Sequence, residues 1–276
     1  MAQRVITLIR YLLRDVFLSL TGILYIILTL VFWQIFFDPS QGTPEGAYYV
    51  LVIGLFGAGM AFLATLSVAA RAHRAIHYPL LVRLPSRVEH LTAVLLSALT
   101  FTFLLQGTVA VLALFRGPEI PFGLVVEIPP LWIAVDVLAA VLALHASDLV
   151  TSGWSRVYIY GALAVLLFGR ELDTSSGNWI GTRLSQLGGW FFRQGWSGLG
   201  NLVNRLSQWS HSSGVSSIGD VLDVAFWPFH AIAAAVKAGF FDPRQALAPS
   251  ILLLYATVLF LLAADLFSTK DLFLTE

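Results

Sequence analysis

Long stretches of this chain run with almost no charged side chain, and that spacing constrains its fold more than any other feature. Apolar runs extend from about Val16 to Phe37, Ala47 to Ala70, Leu91 to Phe115, Leu131 to Val150 and Ser250 to Phe267, with a shorter one from Val157 to Phe168. A helix of roughly 20 apolar residues matches the hydrocarbon thickness of a bilayer. In lipid, only helices and closed barrels satisfy their own backbone. With 58% hydrophobic residues, 12% charged residues and a mean hydropathy of +0.81, the apolar surface exceeds what one water-bathed core hides. The sequence therefore predicts an all-α polytopic membrane protein, a single transmembrane domain over residues 1–276 with about six spans.

Charge placement orients these runs. Arg4, Arg10 and Arg14 punctuate an apolar segment at spacings that keep a basic side on a helix, so residues 1–15 read as an amphipathic helix on the membrane surface that leads into the first span. The segment 71–90 is the most basic of the chain, with Arg71, Arg74, Arg83 and Arg87 against the single acid Glu89, and with His73, His77 and His90 added. Short Arg-rich loops stay in the cytoplasm. The expected topology is a multi-pass plasma-membrane protein with both termini cytoplasmic. Residues 172–249 then form a long extracytoplasmic segment in which Trp179, Trp190, Trp196, Trp209 and Trp227 recur, and Trp favours the membrane interface. Within it, Asp223 to Phe241 is apolar but interrupted by Pro228, His230 and Lys237. We read it as a re-entrant or interfacial helix pair preceding the last span.

Catalytic signatures are missing. A phosphate loop needs a Gly-rich turn ending in Lys-Ser or Lys-Thr, and the only lysines are Lys237 and Lys270. No serine-hydrolase or dinucleotide-binding pattern occurs. The absence of cysteine excludes disulfides and thiolate sites. His73 and His77 share a helical face, but without a His-Glu-x-x-His pattern and among arginines they are assigned no metal. The formal net charge of zero offers no argument for nucleic acid.

Two groups inside the spans stand out. Ionisable residues in hydrocarbon are functional candidates because their burial costs several kcal/mol, which singles out Asp136, His145 and Asp148. One reading links them as a proton relay. The other lets His145 and Asp148 reach the headgroups while Asp136 faces a neighbouring helix or a water-filled cavity. In the second span, Gly54, Gly57 and Gly59 form a small-residue stretch that admits a close helix neighbour, within the chain or in a second copy.

The order of these parts, and the phrase Leu81-Val82-Arg83-Leu84-Pro85-Ser86-Arg87-Val88-Glu89-His90-Leu91 in particular, resembles the permease subunits of type-2 ABC exporters. The ending Ala264-Asp265-Leu266-Phe267-Ser268-Thr269-Lys270-Asp271-Leu272 is similar to the family's as well. The turn Leu84-Pro85-Ser86-Arg87 is one residue tighter than the family's commonest form, and the outer segment 172–249 departs from it in length. The resemblance implies that 71–90 is a coupling loop docking on a separate ABC ATP-binding subunit, with Arg71, Arg74, Arg83, Pro85, Arg87 and Glu89 at the contact. It implies a second permease copy or homologous permease as partner, membrane lipids around both, ATP and Mg held by the ATPase, and no cofactor or enzymatic activity on this chain. The alternative is a non-transporting scaffold or assembly subunit, and a third reading is a secondary transporter using Asp136, His145 or Asp148.

Overall fold

The computed structural model describes residues 2–37, 46–73, 86–115, 122–151 and 245–269, with scattered positions between 189 and 234. Every regular element among them is helical: α1 (Ala2–Phe17), α2 (Leu20–Phe36), α3 (Gly46–Ala72), α4 (Arg87–Leu114), α5 (Phe122–Ala146) and, after a 3-10 turn at Gln245–Leu247, α6 (Ala248–Thr269). Four segments are long and apolar enough to cross a bilayer, namely α3, α4, α5 from Ile128 onward and α6 with its 3-10 turn. The bent pair α1 and α2 makes a fifth candidate. The chain is an all-α membrane-embedded protein. The short span expected at 157–168 lies outside the described residues. So do the segments 74–85 and 172–188, and most of 189–244.

The chain divides into two compact units, residues 1–159 with 228–276, and residues 160–227. In the second unit the few described positions are helical or in a turn. In the first, Phe229 and Ile232 pack against the core, which ties part of the expected re-entrant stretch to the bundle.

The first span begins later than the apolar run implies. The run continues unbroken through Val16, Phe17 and Leu18, yet α1 ends at Phe17 and α2 leaves it at a bend of 72°. Ser19 causes the break. It adopts extended dihedrals, φ −92° and ψ 155°, and caps α2 by accepting from the Gly22 N–H, as N-cap serines do. Its hydroxyl also donates to the Val16 carbonyl at 2.6 Å. Gly22 is required because a Cβ there would run into the Val16 carbonyl group, its carbon 2.9 Å away.

Arg71, at the end of α3, closes this elbow. Its guanidinium donates to the Asp15 carboxylate and carbonyl, each at 3.2 Å, and to the Ser19 hydroxyl at 2.7 Å. The α1 residues Leu8, Leu12 and Val16, spaced one turn apart, are buried, and Phe17 meets Phe101 of α4 edge-on at 4.9 Å. Tyr25 then fastens α2 to α3, sharing a hydrogen bond with Ser67 at 2.6 Å and donating to the Leu63 carbonyl at 3.1 Å.

Helices α3, α4 and α5 form the middle of the bundle, with 50 to 61% of their apolar windows buried, whereas α6 buries 22%. On α2 and α6, side chains such as Leu20, Ile27, Leu254 and Leu261 stand exposed. Apolar surface this extensive is stable only in lipid or against another membrane chain. The fourth span also begins earlier than the sequence suggested, since Pro129 and Pro130 lie inside α5. Proline holds a helical φ but removes a backbone N–H and crowds the carbonyl one turn back, so this pair, lying past the first turn of α5, removes two intrahelical bonds.

Gly22→Ala is expected to lower the melting temperature of the detergent-purified chain, consistent with a loss of about 1–3 kcal/mol from overpacking. Gly59→Ala should leave the temperature unchanged or raise it, because a Cβ there meets nothing within 4 Å. Equal melting temperatures for the two variants would contradict the tight elbow.

Candidate functional site: a polar centre among three helices

Where α3, α4 and α5 meet, three side chains donate to backbone carbonyls of a neighbouring helix. Trp132 of α5 donates its indole N–H to the Val50 carbonyl at 3.0 Å. Gln106 of α4 donates its amide to the Ile53 carbonyl at 3.3 Å. In the opposite sense, the Tyr49 hydroxyl of α3 donates to the Ala110 carbonyl of α4 at 3.1 Å. Tyr49 and Trp132 also lie ring against ring, 6.0 Å apart.

The glycines explain why α3 can accept these bonds. In a helix the carbonyl of residue i bonds the N–H of residue i+4, so Val50 and Ile53 are followed one turn later by Gly54 and Gly57. A Cβ on Gly54 would lie 3.1 Å from the Trp132 ring. A Cβ on Gly57 would collide with the Gln106 amide and come within 2.8 Å of the Asp136 carboxylate oxygen. Both glycines therefore serve contacts within the chain. Gly59, expected to belong with them, is exposed with nothing within 4 Å. Its position two residues on from Gly57 turns it to the opposite side of the helix.

Asp136 is fully buried and sits beside Gln106 and Gly57. Among the described residues neither of its oxygens closes a well-formed hydrogen bond and it makes no ion pair. An ionised carboxylate so placed would be a bare charge in a low-dielectric core, a situation that costs several kcal/mol. Asp136 thus faces neighbouring helices, as one of the two sequence readings held.

The structure does not join Asp136 to His145 and Asp148. Nine residues along α5 place His145 about 13 Å from Asp136 by helical rise. His145 is turned to α6, where its Nε2 meets the Leu259 carbonyl at 2.8 Å. A carbonyl only accepts, so that nitrogen carries a proton. His145 is 5% exposed, which corrects the expectation that it reaches the headgroups. Asp148 is exposed just beyond the end of α5.

The residues expected at a docking surface also separate. Arg71 is occupied at the elbow with Asp15 and Ser19. Glu89 is 4% exposed and Oε2 has no donor among the described residues, so it is not a surface acid; a position in the first turn of α4 points it into the bundle. Arg87 is at the surface side of that turn, directly after the N-cap Ser86, and donates to the Ser268 carbonyl of α6 at 3.4 Å. His90, one turn further in, stacks with the buried Phe267 at 6.4 Å. Arg74, Arg83 and Pro85 lie outside the described residues.

Sequence reasoning passed over Gln106, Trp132 and Tyr49. The available signal was an amide in the middle of an otherwise apolar run, which in lipid demands a partner. Comparison of the chain with protein-family models, with curated proteins and with solved structures finds no match.

Gly57→Ala is expected to destabilise the chain by about 1–3 kcal/mol through overpacking, and Gly54→Ala by less, since the Trp132 ring has only tenths of an ångström to yield. In a Gln106→Ala background the cost of Gly57→Ala should shrink, because the colliding amide is gone. Thermal melts of the four variants forming that double-mutant cycle measure the coupling, and strict additivity would refute the contact.

Proposed function

We propose that the chain is the transmembrane permease subunit of an ABC exporter, which moves substrate by alternating access driven by a separate ATP-binding subunit. The observation that carries this reading is the gathering of parts at one end of the bundle. The elbow between α1 and α2 is held to the end of α3 by Arg71, and the start of α4 is held to the end of α6 by Arg87. The basic segment 74–85 is therefore bounded by two anchored helix ends, so a load applied to it reaches the first and last spans together. An ATP-driven permease with no phosphate loop of its own receives work in this way, through contact.

In this reading that end faces the cytoplasm, and the docking surface is carried by Arg74, Arg83, Pro85 and Arg87. Arg71 positions the elbow and Glu89 packs inside. Basic side chains there complement an acidic face on the ATPase, where matched charge sets orientation and partner choice. ATP and Mg belong to that subunit. The exposed apolar flanks of α2 and α6 suit lipid and a second permease copy.

The tagged chain, co-expressed with the reading frames that neighbour its own, is expected to copurify with a phosphate-loop ATPase. Charge reversal at Arg74 and Arg83 should abolish that association while leaving the melting temperature unchanged. Association that survives the reversal counts against the docking surface. A stable complex lacking any nucleotide-binding subunit would favour the scaffold reading instead.

A further inference from the structure

Helix α1 carries more positive charge than the bundle uses. It contains three arginines and one acid, Asp15, and Asp15 is engaged by Arg71 from α3 at 3.2 Å. Arg4, Arg10 and Arg14 remain exposed, and none of them makes an ion pair among the described residues. The surplus is also ordered in space. Arg10 and Arg14 are one turn apart and so adjacent on the helix surface, on the same side as Gln3 and Thr7, while the buried Leu8, Leu12 and Val16 occupy the opposite side.

The elbow sets the depth of this basic face. Immediately past it, Leu18 and Leu20 are 73% and 82% exposed and Ile23 and Leu24 follow them outward. Exposed leucine and isoleucine on a spanning helix mark where acyl chains begin. With α2 taken as the crossing helix, the 72° bend carries α1 along that boundary instead of across it. An interfacial helix with apolar flank and basic face lies at the level of the phosphates.

We propose that Arg10 and Arg14, with Arg4 adding positive charge from the flank of the same helix, form a headgroup site for anionic phospholipid in the leaflet that borders the elbow. The Asp15–Arg71 pair contributes by removing the one acid that would repel the phosphate. The site belongs to the membrane-embedded chain whichever partner drives it, so it stands or falls separately from the transport reading. Each arginine near an anionic surface strengthens the attraction by about fivefold.

The absence of native cysteine permits a site-directed test on the full chain. A benzophenone placed on Thr7→Cys, in vesicles of phosphatidylcholine and phosphatidylglycerol in equal amounts, should capture phosphatidylglycerol in excess by at least about tenfold. Replacing all three arginines by glutamine should equalise the two adducts, and replacing them by lysine should preserve the excess, with circular dichroism showing the helix retained in both. Equal capture in the parent, an excess that survives the glutamine variant, or loss of the excess in the lysine variant overturns the proposal. So does abolition of the excess by inorganic phosphate, which would assign the arginines to free phosphate instead of lipid.

Discussion

Hydrocarbon offers no hydrogen bonds, so a polar side chain too long to bond its own helix is best satisfied by a partner on another one. In this chain that partner is repeatedly a backbone carbonyl. Tyr25 reaches Leu63, Tyr49 reaches Ala110, Gln106 reaches Ile53, Trp132 reaches Val50 and His145 reaches Leu259. Interhelical bonds of this kind are modest, averaging about 0.6 kcal/mol with a maximum near 1.7 kcal/mol. Their effect lies in registration. Apolar side chains slide past one another at small cost, whereas a donor aimed at one carbonyl specifies one height along its neighbour. Together these bonds set the relative heights of α2 through α6.

Glycine makes the pattern possible on α3. A side chain at Gly54 or Gly57 would cover the carbonyls that Trp132 and Gln106 reach. The usual account of small residues in membrane helices is close backbone approach. Here the same absence of a Cβ opens acceptors for indole and amide donors. Asp136 shares the opening beside Gln106 and is fully buried there.

The end of the bundle that carries the arginines follows a different logic, because charge there meets water and headgroups. Ser19 uses its hydroxyl as donor to Val16 and as acceptor from Gly22 and Arg71, so one small side chain terminates α1, starts α2 and receives α3. Arg87 and the His90–Phe267 stack perform the corresponding attachment between α4 and α6. Both ends of the basic segment are thereby fixed to helices distant in sequence.

Five of the helical runs were legible from hydropathy, since the thickness of a bilayer imposes a length and the burial of charge imposes silence between loops. The amphipathic character of α1 was legible from the spacing of three arginines. Position along one helix was as far as that reasoning reached. It placed Asp136, His145 and Asp148 on a single span and left a relay open as one of two readings, but His145 turns to α6 and Asp148 to the surface. It grouped Gly54, Gly57 and Gly59, of which only the first two face neighbours. It counted Arg71 and Glu89 with the docking residues, though one is held by Asp15 and Ser19 and the other is buried. By itself the sequence determined which segments must leave water, because hydrophobic transfer is a sum over local composition. Only the tertiary structure decided which polar atoms meet, because a hydrogen bond depends on the rotation and height of two helices at once, and neither is written in the run of residues along either one.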